Sequence, residues 1–281
     1  MAVANTITNF QQTIWSASIL RSLDTITSLR KHCNFQYEKD SKNAKEVKIL
    51  SVTRPTIRKY VPGTALVRES ANDGSQLLKL DQYHYFNFEV EDIVKAQSVP
   101  GLMEALTDEA AKGLALEGDK YVATVIDTAV NEGEVTASEG ISLTVSNAMA
   151  SVENGFATLY EHNCKPTDTF YLEVAPKVFT TYRQSLTELS TNNPEILKKG
   201  AVGKINNAYV CIENCLLEDG DGYISNILRT EKAVAFAEQI EKVEHYRPED
   251  AFTGAVKGLY VFGAKVVRPE EIYVMKTKVT V

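Results

Sequence analysis

Apolar and polar residues alternate with a period of two at both ends of the stretch from residue 46 to residue 90. The apolar positions of this alternation are Val47, Ile49, Phe86, Phe88 and Val90. A period of two predicts strands with one buried face. Between them lies a turn-rich region in which Asn72-Asp-Gly74 is a strong turn signal, because asparagine and glycine tolerate positive φ. The pattern predicts a long two-stranded excursion with a polar tip, although an ordinary surface hairpin would show the same alternation.

From Pro100 onwards the apolar period changes to spacings of three, four and seven. The positions that set this period are Leu102, Leu106, Ala110, Leu114, Tyr121 and Val125. Such spacing predicts an amphipathic helix that continues to about Val130, with Asn131-Glu-Gly133 as its C-terminal stop. At 1.5 Å per residue, this helix would be roughly 45 Å long.

The remainder of the chain predicts a compact mixture of helices and strands. Helices are expected over 142–162 and 176–189, strands over 169–174, 209–212 and 223–228, and further strands over 233–237, 258–263 and 272–275. The pattern favours two domains that share one core of sheet and helix. The chain would pass between them near Ile141 and again near Arg229.

Composition narrows the function without specifying it. The chain has 281 residues, is 44% hydrophobic and carries a net charge of -7. An acidic chain cannot bind nucleic acid through bulk attraction, so a protein that encloses DNA with this composition would be a container. No stretch has the roughly 18–20 apolar residues that cross a bilayer, so no membrane partner is expected.

Catalytic and metal-binding templates are not found in the sequence. It contains no Gly-x-Ser-x-Gly elbow, no phosphate loop and no His-Glu-x-x-His. Cys211-x-x-x-Cys215 has no two further ligands nearby at similar spacing, so free, mostly buried thiols are expected. Asp219-Gly-Asp221 resembles half of a calcium loop but lacks its bidentate glutamate. We therefore expect no enzyme activity, no cofactor and no metal.

Four stretches resemble the coat proteins of tailed double-stranded DNA phages. Residues 80–97, LDQYHYFNFEVEDIVKAQ, are similar to an aromatic strand and acidic pair that precede a long helix in that family. The alanine-rich helix around residues 110–119 and the segment GKINNAYVC at 203–211 are also similar, although Asn207 stands where glycine is usual. The closing stretch from 233 to 269 resembles the family's C-terminal signature. Their order and spacing along the chain extend the resemblance to residues of about 45 to 275.

The resemblance implies the α+β Hong Kong 97 capsid fold. Its parts would be an N-terminal arm (1–45), the E-loop hairpin with flanking strands (46–97), a peripheral domain with the long spine helix (98–140), an axial α/β domain (141–228) and a return to the peripheral domain (229–281). Some family members begin with a helical scaffolding region that is later cleaved, whereas the arm here begins almost at Met1. Either a separate scaffolding protein or a mature form of the chain is therefore implied, and the initiating Met favours the first.

The implied function is that of the major capsid protein. Copies would form hexamers and pentamers of an icosahedral shell, with a portal protein, and would enclose double-stranded DNA without sequence-specific binding. Assembly would take place in the host cytoplasm, and the product would be the virion. Alternatives are an encapsulin-like nanocompartment shell, which shares the fold, and a soluble α/β enzyme.

Two groups of residues are candidate contacts between subunits. The E-loop candidates mix both signs of charge around one aromatic ring, and they are Arg58, Tyr60, Arg68, Glu69, Asp73 and Lys79. The candidate axial loop is rich in turn formers, which suits a loop that must fit both five-fold and six-fold surroundings. Its residues are Thr191, Asn192, Asn193 and Pro194.

Overall fold

The computed structural model describes residues 28–41, 44–52, 56–59, 73–91, 102–185, 201–248 and 253–279. Within them the helices are α1 (Glu38–Ser41), α2 (Leu102–Asn131), α3 (Ala148–Glu161) and α4 (Pro176–Ser185), with short 3-10 turns at Arg30–His32 and Pro269–Glu271. The strands are β1 (Glu46–Val52), β2 (Asp73–Lys79), β3 (Gln82–Glu91), β4 (Thr136–Ala137), β5 (Ile141–Leu143), β6 (Phe170–Val174), β7 (Ala201–Ile205), β8 (Ala208–Ile212), β9 (Ile224–Thr230), β10 (Val234–Tyr246), β11 (Thr253–Val266) and β12 (Ile272–Val279).

The larger sheet is mixed and has helices on both faces. Its strands lie in the order β4-β12-β9-β6-β8-β7, and β5 also pairs with β12. Successive residues of a strand point to opposite faces. In β12, Ile272 and Val274 therefore pack in the cluster that contains α2, whereas Tyr273 and Met275 pack in the cluster that contains α3 and α4. The last strand of the chain thus joins the two largest apolar clusters.

The second sheet has the order β10-β11-β3, and the β1–β2 hairpin packs on one face of it. Val47, Ile49, Leu78 and Leu80 of the hairpin form a buried cluster with Ala235, Ala237 and Val261. The hairpin approaches β11 so closely that a Cβ added to Gly263 would lie 1.9 Å from the carbonyl oxygen of Lys79. The base of the predicted excursion is therefore part of the subunit's own body.

Helix α2 confirms the prediction of a long amphipathic helix. It buries a stripe that includes Leu114, Val122, Ile126 and Ala129 against the second sheet and β12. It ends at Asn131, and Gly133 has a φ of 76°, which is a left-handed conformation that suits glycine after a helix. The predicted start at Pro100 lies outside the described residues.

Two details of the prediction were wrong. The helix expected over 142–162 begins only at Ala148, because residues 141–143 pair with β12 as a parallel strand. The turn signal at Asn72-Asp-Gly74 does not mark a turn at its last two residues, because Asp73 and Gly74 pair with Val52 and Ser51 in the β1–β2 ladder. Strand pairing overrides local propensity at both places.

Candidate assembly surfaces and a buried junction

The second sheet leaves two aromatic side chains uncovered at its edge. Tyr83 and Tyr85 of β3 are 55% and 78% exposed, and we call them the tyrosine strip. They pair directly with Val261 and Leu259 of β11, so all four side chains lie on the same face of the sheet. The β1–β2 hairpin covers Val261 on that face. The tyrosine strip is therefore the uncovered part of a face whose other part is buried within the subunit.

The outer face of the hairpin also carries exposed apolar side chains. Leu50 is 70% exposed and Leu77 is 40% exposed, whereas Ile49 and Leu78, on the inner face, are buried. Ile57, which follows β1 along the chain, is 93% exposed. Large apolar side chains that are exposed together on one element are typical of surfaces that bind other molecules.

The structure tests the predicted contact residues only in part. Arg58 and Lys79 are exposed, and Asp73 lies at the first position of β2. The remaining candidates lie outside the described residues, and they are Tyr60, Arg68, Glu69, Thr191, Asn192, Asn193 and Pro194.

A buried ion cluster lies on the face of the larger sheet opposite α3 and α4. The Arg229 guanidinium of β9 donates from Nε and Nη2 to the two carboxylate oxygens of Glu173 in β6, over 2.9 and 2.7 Å. His32 Nδ1 lies 3.0 Å from the same carboxylate, and its ring stacks on Tyr171 with 3.9 Å between ring centroids. Both Arg229 and Glu173 have no exposed surface. We call Glu173, Arg229 and His32 the junction cluster.

Arg229 also binds the backbone of the segment that precedes α1. Its guanidinium donates to the carbonyl oxygens of Leu29 and His32, over 2.7 and 3.2 Å. The side chain thus joins three separate parts of the chain: β6, β9 and residues 29–33. Burial alone would raise the pKa of Glu173, but the Arg229 guanidinium and the hydrogen bond to His32 outweigh burial, so this pKa lies below its usual value.

A second buried arginine holds the same segment against the smaller sheet. Arg30 is 2% exposed, its guanidinium donates to Glu238 and to the Tyr260 hydroxyl, and its backbone amide donates to Asp119 Oδ1 over 3.0 Å. Asp119 belongs to α2, Glu238 to β10 and Tyr260 to β11. Residues 29–33 are therefore held by polar contacts to both sheets and to the long helix.

Sequence reasoning missed these polar residues, although a signal for them exists. Glu173 interrupts the apolar run Phe-Tyr-Leu-Glu-Val, and Arg229 follows Ile227 and Leu228 in a strand that is otherwise buried. A charge inside a buried strand requires a partner of opposite charge. That rule predicts a pair, but the sequence alone does not show that Glu173 and Arg229 are each other's partners.

None of the described helices is long and apolar enough to cross a membrane. Among the described residues, His32 is buried in its contact with Glu173, and Cys33, Cys211 and Cys215 are buried thiols whose pKa is raised by burial. Such thiols are poor nucleophiles, because the thiolate is the reactive form.

The fold is shared with solved phage structures. A chain from Mycobacterium phage Che8 superposes with a TM-score of 0.74 at 26% identity, over 89% of this chain and 90% of that one. A chain in the capsid of cyanophage P-SCSP1u gives 0.66 at 14% identity, over 85% of each chain. A virus-like particle from Pyrococcus furiosus gives 0.57 at 13% identity, over 96% of this chain and all of that one. The chain matches no protein-family model, and no curated protein matches it.

These likenesses define the class of fold: it is the mixed α+β fold of phage capsid structures. The resemblance of the sequence to tailed-phage coat proteins is thereby confirmed in the structure.

Proposed function

We propose that this protein is the major capsid protein of a tailed double-stranded DNA phage and that it self-assembles into the icosahedral shell around the genome. The observation that carries this proposal is the likeness of fold to phage capsid structures along most of both chains. A shared fold alone does not define function. The exposed apolar surfaces supply the second support, because they are what a subunit that binds copies of itself requires.

The parts of the Hong Kong 97 fold can be assigned to the described elements. We assign α2 as the spine helix of the peripheral domain and the β1–β2 hairpin as the base of the E-loop. Residues 141–228 would form the axial domain, and residues 229–281 would return to the peripheral domain. Since β12 pairs with β9, β4 and β5, the returning segment would also complete the axial sheet.

Neighbouring copies would cover the exposed surfaces of the hairpin and β3. The adjacent subunit would contact two exposed leucines of the hairpin, Leu50 and Leu77. It would also contact the charged and aromatic residues of the E-loop, which are Arg58, Tyr60, Arg68, Glu69, Asp73 and Lys79. An extended segment of a neighbouring subunit would cover the tyrosine strip. The loop with Thr191, Asn192, Asn193 and Pro194 would line the axes of hexamers and pentamers. Each contact would be modest, but closed shells repeat it around every symmetry axis.

The same assignment implies further partners and a place of assembly. A separate scaffolding protein would guide closure, a portal protein would occupy one vertex, and the DNA would be enclosed without sequence-specific contacts. The net charge of -7 is typical of a shell that encloses DNA and not of a protein that binds DNA through electrostatic attraction. Assembly in the host cytoplasm would lead to a virion in which the protein has a structural role.

Negative-stain electron microscopy of the purified, expressed protein tests the proposal directly. Closed shells, flat sheets of hexamers or isolated capsomers are the expected particles. A protein that remains monomeric at all concentrations, with and without a co-expressed scaffolding protein, contradicts the proposal. Shells that enclose a host enzyme rather than accept DNA would support the nanocompartment alternative.

The role of the E-loop can be tested by removing residues 61–71 and joining the ends with a short glycine-serine linker. This deletion leaves β1 and β2 intact, so the buried cluster of Val47, Ile49 and Leu78 remains. We expect a soluble subunit with nearly unchanged melting that no longer closes into shells. Replacement of the same residues by glycine and serine at constant length is the matched control for loop length. Normal shells from the deletion variant would exclude the segment as an intersubunit clasp.

A further inference from the structure

A second buried cluster lies between helix α2 and the loop after β8. It consists of Asp119 on α2 and of Glu213 and Cys215, which follow β8. One ligand atom from each residue lies within 4.8 Å of the others. Their side chains are almost fully buried, with 6%, 4% and 9% exposure. Two carboxylates and a thiol thus converge in the interior.

The hydrogen bonds around this cluster are incomplete. Cys215 Sγ donates to Glu213 Oε2 over 3.8 Å, and Asp119 Oδ1 accepts the backbone amide of Arg30. Ser28 also hydrogen-bonds to both carboxyl groups, through its side chain to Glu213 and through its backbone to Asp119. Glu213 Oε1 is buried and has no hydrogen-bond partner in the structure as described. A buried carboxyl oxygen without a partner costs folding free energy, and this one lies beside a second carboxyl group and a thiol that ionise when they bind a metal. A cation between the three side chains would supply the missing partner.

We propose that Asp119, Glu213 and Cys215 form a structural zinc site that joins α2 to the loop after β8. Zinc binds carboxylate oxygen and cysteine sulfur at about 2.0–2.3 Å, with four ligands in structural sites. The three side chains would supply three of the four ligands, one atom each, and a water molecule would supply the fourth. Binding through Oε1 of Glu213 would give that oxygen its missing partner. The thiolate favours zinc over magnesium and calcium, which prefer all-oxygen sites.

The ligand atoms lie within 4.8 Å of one another, so the three side chains would close slightly around a bound ion. Ligand atoms around a tetrahedral zinc lie about 3.3–3.8 Å apart, given the bond lengths above. Glu213 Oε2 and Cys215 Sγ are 3.8 Å apart, so this pair already has the required separation. The backbone amide of Glu213 donates to Val174 O over 2.9 Å, which fixes the loop to β6, and Arg30 fixes the Asp119 carboxylate.

The electrostatics of the cluster fit a bound cation. Burial raises the pKa of Glu213 to about 8 and that of Asp119 to about 6, and it also raises the pKa of the Cys215 thiol. A divalent cation reverses this effect, because coordination favours the deprotonated ligands and releases their protons. The Arg30 and Arg229 side chains lie near enough to act on Asp119 and Glu213, so they offset the remaining negative charge.

The metal content of the wild-type protein, purified without chelator from zinc-supplemented medium, is the first test. Mass spectrometry should find about one zinc per chain. After removal of metal, cobalt(II) should bind with a thiolate-to-cobalt charge-transfer band in the near ultraviolet. Wild-type protein that holds no zinc and shows no such band would overturn the proposal, whether or not any variant folds.

Variants identify the ligands. Cys215→Ser should abolish the charge-transfer band and lower zinc content at least tenfold, and Glu213→Gln should lower zinc content in the same way. Cys164→Ser is the matched control, since Cys164 is a half-buried free thiol outside the cluster. Loss of the band in Cys164→Ser, with the band retained in Cys215→Ser, would assign the metal to another site. Shell formation is not part of these measurements, so the zinc site and the proposed capsid function can fail independently.

Discussion

The junction cluster buries charged side chains, whereas a second region exposes large apolar ones. We call this second region, formed by the outer face of the β1–β2 hairpin and the tyrosine strip of β3, the hairpin–β3 surface. At the junction, Arg229 and Glu173 have no exposed surface and meet each other's charge inside one chain. At the hairpin and β3, Leu50 and Tyr85 remain 70% and 78% exposed. The comparison teaches that the subunit pairs these two buried charges within one chain, whereas it leaves large apolar side chains exposed on the hairpin and β3.

This difference predicts different outcomes for mutations in the two regions. Changes at the junction should act on the folding of the single subunit, because the contacts there are intramolecular and fully buried. Changes on the exposed surface should act on assembly while the subunit remains folded. The following mutations test this division, in order of decreasing effect on the free energy of unfolding of the subunit.

Arg229→Met should have the largest effect. It leaves the Glu173 carboxylate buried without its bidentate partner and removes the hydrogen bonds to Leu29 O and His32 O. Breaking a buried ion pair by removing one partner destabilises by about 3–5 kcal/mol. Urea denaturation of the unassembled subunit, followed by circular dichroism, measures this loss.

Lys232→Met is the matched control for Arg229→Met. Lys232 pairs with Asp168 over 3.4 Å, but its side chain is 57% exposed. Exposed ion pairs contribute about 0–1 kcal/mol, so this variant should unfold at nearly the wild-type urea concentration. The double variant Arg229→Met with Glu173→Gln should recover part of the lost stability. Equal effects of Arg229→Met and Lys232→Met would contradict the division between the two regions.

Gly263→Ala should have the next largest effect. The added methyl group would lie 1.9 Å from Lys79 O, so the hairpin or β11 must move. Overpacking of this kind costs about 1–3 kcal/mol. Gly220→Ala is the control, since a Cβ there meets nothing within 4 Å, and a change within about 0.5 kcal/mol is expected. If both variants unfold at the same urea concentration, the hairpin base does not pack on β11 as described.

The pH dependence of stability should identify Glu213. Its pKa is about 8 in the folded protein and 4.5 at its usual value, so the folded state holds its proton more tightly. The stability that follows is complete below about pH 4.5 and is lost as pH rises through 8. Chelator-treated wild-type protein should therefore melt at a lower temperature at pH 9 than at pH 6. Glu213→Gln should flatten this dependence, and an unchanged slope would show that other groups cause it.

The sequence predicts best those elements whose periodicity is set by burial on one face. The apolar period of α2 predicts the C-terminal end of the helix to within a residue or two. The alternation at Val47 and Ile49 predicts the strand β1. Strand β5 was missed because three residues are too few to show a period, and only its pairing with β12 makes it a strand.

The buried polar contacts could not be predicted in the same way. Arg30 and Glu238 are separated by 208 residues, and Glu173 and Arg229 by 56. The pattern of a single sequence does not show which buried charged residues form pairs with each other. Likewise, Asp119, Glu213 and Cys215 show no ligand spacing along the chain, because the fold and not the local sequence brings them together.

Tyr85→Ser should have the smallest effect on the subunit and a clear effect on assembly. The side chain is 78% exposed and contributes little to the subunit's own core, so its loss should change the free energy of unfolding by no more than about 0.5 kcal/mol. If a neighbouring copy covers the tyrosine strip, the same change removes apolar contact at every equivalent interface of a shell. Electron microscopy should then show fewer closed particles, and light scattering should show that assembly requires a higher protein concentration. Tyr85→Phe keeps the ring and should assemble as the wild type does. Normal shells from Tyr85→Ser would mean that the tyrosine strip faces solvent in the particle, and the exposed surface for assembly would then reduce to the outer face of the hairpin with Leu50 and Leu77.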